Sequence, residues 1–337
     1  EILIGLVGSE MCIRDSWYGG KERQTQPTYH TMETCVTFTW MQLCNRLLQM
    51  TGNSLYADYM ETAIYNALMA SLKADASQIA KYSPLEGWRH EGEEQCGMHI
   101  NCCNANGPRA FAMIPQFAYQ VQDDCVRVNF YAPSEAELVL PDKKPVRLKQ
   151  TTDYPRTDQI EIEVDPAKET AFTIALRIPA WSKIAVVSVN GQPQDGVLQG
   201  AYLPVNRKWK KGDRITVKLD LRARLVERNQ AQAIVRGPIV LARDSRFGDG
   251  FVDEASVVVS KDGYVELTPV KAPGFAWLAF TAPMVLGTDL ESNRAPKQIH
   301  FCDFASAGNT WDKTQRYRVW LPKTLNVMHS PYRPYNQ

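Results

Sequence analysis

Little in this sequence calls for a charged partner or a membrane. Lys plus Arg number 38 against 37 Asp plus Glu over 337 residues, which leaves no basic footprint for nucleic acid and no polybasic patch for a lipid surface. Long apolar runs are missing too. The longest near the start, Ile2 to Val7, falls short of a signal-peptide core of ~7–15 residues and of a ~20-residue membrane span. Cysteine is sparse, eight residues unevenly placed, which excludes a dense disulfide scaffold. Fixed-period repeats and low-complexity tracts are absent, against a solenoid or a disordered tail. What remains is ordinary globular material, 44% hydrophobic, long enough for about two domains and compatible with a neutral partner such as a sugar.

Hydrophobic spacing divides the chain. Val36, Trp40, Leu43, Cys44, Leu47 and Leu48 recur at helical period between Thr34 and Met50, with Gly52 as a stop. A second helix is expected after Ser54 as N-cap, with Tyr56, Met60, Ala63, Ile64, Ala67, Leu68 and Leu72 on one face. A third is expected within Asn104 to Gln120, opened by Gly107 and Pro108. Beyond residue 120 the period changes to two, at Val126–Val128–Phe130, Ile160–Ile162–Val164, Phe172–Ile174–Leu176 and Ile215–Val217–Leu219. Asn190-Gly191 is a hairpin signal. Regular short strands predict a β-sandwich to about residue 245. Gln298 to Phe304 and Tyr317 to Leu321 read as further strands, whereas 246–295 give no clear pattern. Residues 1–16 share no periodicity with the residues after them and read as a segment apart.

Adjacent Cys102 and Cys103 cannot bridge each other without straining the peptide between them. With Glu33 and Cys35 they offer three thiolates and one carboxylate, a donor set suited to tetrahedral zinc. Side chains two apart on a helix do not converge, so Glu33 and Cys35 must sit where a helix begins. The bland alternative is a helix-start cysteine and a pair of buried core thiols. Cys96 is a spare donor. His90 and His99 flank the cysteines and either contact a ligand or are merely solvated. Glu91, Glu93 and Glu94 suit acid–base work or a solvated loop. Trp17, Trp40 and Trp88 can stack on a sugar, although Trp40 falls on the apolar stripe of its helix.

The same residues carry a family resemblance. Met32-Glu33-Thr34-Cys35, TGNSLYADYMETAIYNAL from Thr51 to Leu68, Tyr82-Ser83-Pro84-Leu85-Glu86, the run Cys96 to Cys103 and Asn106-Gly107-Pro108-Arg109 resemble glycoside hydrolase family 127, the β-L-arabinofuranosidase type. Trp209 to Asp213 and Val235 to Pro238 extend the likeness into the β-rich part. The resemblance implies a multi-domain α+β protein. Residues 17–120 would be the C-terminal helices of an (α/α)6 catalytic barrel, 121–245 a β-sandwich, and 246–337 a second β-rich segment. It also implies an N-terminally shortened chain.

Zinc ligands are implied at Glu33, Cys35, Cys102 and Cys103, with Cys102 as the nucleophile of retaining glycoside hydrolysis. A sugar-contacting tyrosine is implied near Tyr82. The family's acid, a glutamate, is replaced in the corresponding window by Asp15, Ser16 and Trp17. The expected partner is therefore a carbohydrate. The alternative is a non-catalytic carbohydrate-binding or structural protein braced by zinc.

Overall fold

The computed structural model describes residues 32–92, 94, 101–141, 144–228, 231–249, 255–257, 260–286 and 296–322. The sequence expectations for residues 1–16, Trp17, Glu93, Cys96 and His99 lie outside them. The described residues form a mixed α+β protein, mostly sheet, with three α-helices: α1 (Thr34–Thr51), α2 (Leu55–Ala63) and α3 (Cys102–Ala118). None is long and apolar enough to cross a membrane.

α1 has the predicted stripe, with Val36, Trp40, Cys44 and Leu48 buried, while Leu43 reaches solvent. α2 departs from expectation at both ends. Ser54 is the N-cap residue, but its backbone is helical and its side chain makes no capping bond; its Oγ donates to the Gly200 carbonyl at 2.6 Å, while the Asn53 side chain accepts from Leu55 N at 3.0 Å. Nor does the helix run evenly to Leu72. At Ile64–Leu68 it widens into a π-helical turn that aims Asn66 at a sheet strand, donating to Pro238 O at 2.8 Å and accepting from Val240 N at 2.9 Å. One side chain thus satisfies a turn carbonyl and a strand N–H.

α3 begins at Cys102, more than a turn before the expected start at Gly107 and Pro108. The Asn101 side chain accepts from Cys103 N and the Asn104 side chain from Asn101 N, each at 3.0 Å. This reciprocal pair is the asparagine version of a capping box. Pro108 and Pro115 lie inside the helix. A short strand, β1 (Glu86–Gly87), lies between α2 and α3.

The chain divides into two compact units, interleaved in sequence. One comprises 38–64 and 108–221. Its ten strands are β2 (Tyr119–Gln122), β3 (Cys125–Val128), β4 (Ser134–Leu140), β5 (Lys144–Thr152), β6 (Gln159–Pro166), β7 (Thr170–Ile178), β8 (Ala185–Val189), β9 (Gln192–Pro193), β10 (Ala201–Trp209) and β11 (Asp213–Leu219). They make a four-stranded sheet, β10-β7-β3-β2, and an antiparallel six-stranded sheet, β4-β5-β6-β11-β8-β9. In β11 every second residue is buried, the mark of a sheet with one wet face. Asn190-Gly191 forms the predicted β8–β9 hairpin, both residues with positive φ.

A buried ion cluster ties α2 to β7 in this unit. Arg177 is fully buried and pairs with Asp58 and, at 2.6 Å, with Glu61. Tyr154 OH donates to Glu61 at 2.8 Å, Ala180 N donates to Asp58 at 2.9 Å, and Arg177 Nε donates to Asn129 O at 2.5 Å.

The other unit comprises 1–37, 65–107 and 222–337. Its strands are β1, β12 (Ala223–Arg228), β13 (Ala231–Arg236), β14 (Ile239–Asp244), β15 (Ala255–Val257), β16 (Tyr264–Val265), β17 (Thr268–Pro269), β18 (Ala279–Leu286), β19 (Lys297–Asp303), β20 (Tyr317–Arg318) and β21 (Leu321–Pro322). They form one sheet along β15-β18-β19-β14-β13-β12-β16, with β1, β17, β20 and β21 attached at its sides. Ile234, Leu241, Phe280, Met284 and Phe301 pack its core.

This sheet anchors the segment that leads to the cysteine pair. β1 pairs with β20, Glu86 pairs with Arg318, and Val319 N donates to Leu85 O at 2.9 Å. Tyr317 OH donates to Pro84 O at 2.6 Å. Arg89, fully buried, donates to Phe304 O and Ala305 O at 2.7 and 3.1 Å, with its guanidinium over the rings of Phe304 and Tyr317. Gly308 lets Tyr317 sit there. Its φ is +60°, and a Cβ would lie 2.4 Å from the Tyr317 ring. Gly308→Ala is therefore expected to destabilise the protein by roughly 1–3 kcal/mol through forced displacement of the ring. Thermal unfolding measures this; an unchanged melting temperature would show that the ring has room to yield.

Candidate metal centre

Two helix starts bring the donors together. Glu33 precedes α1 and its carbonyl takes the first helical hydrogen bond, from Thr37 N at 2.9 Å. Met32 before it has φ +51°, turning the chain into the helix. Glu33 and Cys35 can therefore converge, as their spacing requires, because the backbone at Glu33 is not yet helical. Cys102 and Cys103 occupy the first turn of α3. The strand-like segment around residue 80 holds α1 in place: Thr34 N donates to Lys81 O at 3.0 Å and Thr34 Oγ1 to Ala80 O at 2.7 Å.

The ligand atoms of Glu33, Cys35, Cys102 and Cys103 all lie within 4.8 Å of one another, and this group can hold a metal ion. Cys35 Sγ is 3.0 Å from Cys102 Sγ and 3.3 Å from Cys103 Sγ, and Cys103 Sγ is 4.0 Å from the Glu33 carboxylate. None of the three cysteines is in a disulfide. Glu33, Cys35 and Cys103 are buried, and Cys102 is the one that reaches solvent.

Electrostatics favours a cation here. The Cys35 thiol is driven far above its ordinary range by its contact with Cys103 and by burial, partly offset by Cys102 and Asn106. Cys102 is pushed up to about 11 by burial, then by the neighbouring Cys35 and by Glu33. These two thiols therefore resist ionising, and a divalent cation reverses that balance. Both helix N-termini also point positive dipole ends toward the donors. The donor chemistry thus fits a thiophilic cation better than Mg²⁺ or Ca²⁺, which take oxygen ligands.

Of the other sequence-predicted residues, Tyr82 is buried, its ring 5.4 Å from Lys81 Nζ. His90 Nδ1 accepts from Gly92 N at 3.0 Å, and the ring lies against Trp88 at 4.4 Å between centroids. Trp40 is core, against Tyr59. Two residues went unnoticed in the sequence. Asn101 caps α3 and donates from Nδ2 to Glu91 O at 2.7 Å, and Asn106 Nδ2 donates to Cys35 Sγ at 3.2 Å. Asparagine at a helix start was a usable signal for the first; the second stood in the family-like run Asn106 to Arg109 with no role read for it.

Fold and site define an α+β protein with a thiol-rich group that could hold a metal ion. Comparison with known proteins specifies it. The family described as "Beta-L-arabinofuranosidase, GH127 catalytic domain" matches residues 4–116, which include all four donors, and the "GH127 middle domain" matches 125–221. The chain belongs to this GH127 family.

A non-reducing end β-L-arabinofuranosidase from Bifidobacterium longum subsp. longum is 26% identical over 235 residues, covering 62% of this chain and 34% of that protein. A solved GH127 β-arabinofuranosidase superposes with TM-score 0.76 at 25% identity over 90% of this chain and 51% of its own. A GH127 β-L-arabinofuranosidase from Geobacillus stearothermophilus T6 gives 0.72 at 22%, over 86% and 50%. The chain thus spans about a third of the curated relative and about half of each solved one.

Proposed function

We propose that this chain carries the zinc–thiolate centre of a retaining glycoside hydrolase acting on β-L-arabinofuranosidic or similar linkages, and that its helices belong to an (α/α)6 barrel followed by β-sandwich modules. The observation that carries the reading is the grouping of three thiols and one carboxylate at residues that match the GH127 catalytic domain. Glu33, Cys35, Cys102 and Cys103 hold the zinc, which when bound supplies the positive charge that keeps thiols ionised at neutral pH. Cys102, the donor that reaches solvent, is the nucleophile. Its sulfur attacks the anomeric carbon as the bond to the departing sugar oxygen breaks, and a carboxylic acid gives that oxygen its proton. Water then attacks the same carbon, the carbon–sulfur bond breaks, and the water proton returns to the carboxylate. Asp15 is the carboxyl in the window where the family has its acid, and Tyr82 contacts the sugar.

One observation favours a second reading. Four protein donors, three of them buried, make a closed set of the kind that structural zinc uses. Incubation with an aryl β-L-arabinofuranoside separates the two. Release of arabinose, a glycosyl adduct on Cys102 by mass spectrometry, and loss of both in Cys102→Ser are the expected results. Zinc-loaded chain that forms no adduct, with Cys102 inert to alkylation, would leave the structural brace.

A further inference from the structure

Ionised together, the four donors carry four negative charges against two on the metal, a formal excess in a largely buried place. Two helix N-termini offset part of it. A third offset comes from Asn106. It lies on α3 one turn beyond Cys102 and Cys103, so its side chain shares their face. From there Nδ2 donates at 3.2 Å to the sulfur of Cys35, which belongs to α1. The hydrogen bond therefore runs from the helix carrying two donors to a donor of the other helix.

We infer that Asn106 is a positioning residue that draws charge off the Cys35 sulfur and fixes it as a permanent metal ligand, leaving the solvent-reaching Cys102 as the sulfur free to react. This rests on the proposed metal centre. An amide N–H on a metal-bound sulfur lowers the energy of its lone pairs and orients it, as outer hydrogen bonds do at other thiolate sites. Cys35 is buried, with 4% exposure, so water cannot readily take the place of that donor. Asn106→Asp has nearly the same shape but places an acceptor, and a charge, against the sulfur. A donor role and a packing role therefore predict opposite rankings.

The test loads the full chain with cobalt(II) and measures affinity against a chromogenic chelator, together with the sulfur-to-cobalt charge-transfer band. Asn106→Ala is expected to weaken binding ~10–100-fold and to move the band to lower energy, and Asn106→Asp to do both more strongly. Should either variant fail to fold, NMR-active cadmium in the wild-type chain replaces them, with an expected scalar coupling between the metal and an Asn106 side-chain amide proton. Wild-type affinity and band position in Asn106→Asp, an alanine variant worse than the aspartate one, or absence of that coupling overturns the inference. A wild-type chain that takes up no cobalt removes the metal centre itself, and the inference falls with it.

Discussion

Cys103→Ser is expected to strip the chain of its metal. Cys103 is completely buried, with Glu33 and Cys35 within 4.0 Å of its sulfur. A serine hydroxyl fills nearly the same space but stays protonated and binds zinc poorly, so four donors become three. Structural zinc is bound by ~10–16 kcal/mol. One ligand in four then represents ~2.5–4 kcal/mol, or ~10²–10³-fold in affinity. Elemental analysis after dialysis against a mild chelator should find about one zinc per wild-type chain and close to none in the variant.

Cys44→Ala supplies the contrast. Its thiol is also buried and pushed up to about 12, but by burial alone, with no acidic group contributing. It should cost stability and leave the zinc in place. Equal zinc in wild type and Cys103→Ser would return the cysteines to plain core thiols. The pH dependence has a fixed sign. Protons compete with the metal for thiolate ligands, so affinity falls as the solution is acidified and loading releases protons.

How far the sequence foretold this molecule depended on which physical signal each part carried. α1 was legible because its apolar stripe is long and buried at Val36, Trp40, Cys44 and Leu48. β6 and β11 were legible because one face is dry and the other wet, and β7 because its first half still alternates before both faces become buried from Ile174 on. α3 was misplaced at its start because Gly107-Pro108 looks like a first turn, whereas Asn101 and Asn104 had already capped the helix upstream. Gly107 instead serves close packing, since a Cβ there would lie 2.8 Å from Ile79.

Within 246–295 the sequence offered no pattern. β16 and β17 are two residues each, too short for a period, and β18, AFTAPMVL, is nearly continuous apolar sequence. The interleaving of the two units was equally hidden. Periodicity reports what each segment buries, and only the fold reports that 65–107 joins 222–337. The grouping of Glu33, Cys35, Cys102 and Cys103 was legible because an adjacent cysteine pair has few ordinary explanations. Asn106 was not, because a polar side chain on a helix has many.

The largest expected loss of stability lies at Arg177. Its guanidinium is fully buried between Asp58 and Glu61 and is the charge that both carboxylates face from β7. Removing it leaves two buried carboxylates without a counter-ion, and breaking a buried pair costs ~3–5 kcal/mol. Arg177→Met keeps the apolar stem, so little of the loss is packing, and melting should fall by roughly 10 °C.

The pH dependence identifies the cause. Burial raises the Asp58 carboxyl, and Arg177 is the main influence holding it down. Without the arginine that carboxyl rises further, so the native state binds more protons than the unfolded chain and stability falls as pH rises. The deficit of Arg177→Met relative to wild type should be greatest near neutral pH and shrink as the solution is acidified and the Asp58 carboxyl takes up its proton. Adding Asp58→Asn and Glu61→Gln should recover much of the loss, because neutral amides no longer need the missing charge. A deficit independent of pH and untouched by the added changes would mean that the arginine acts through its hydrogen bond to Asn129 O and its packing instead.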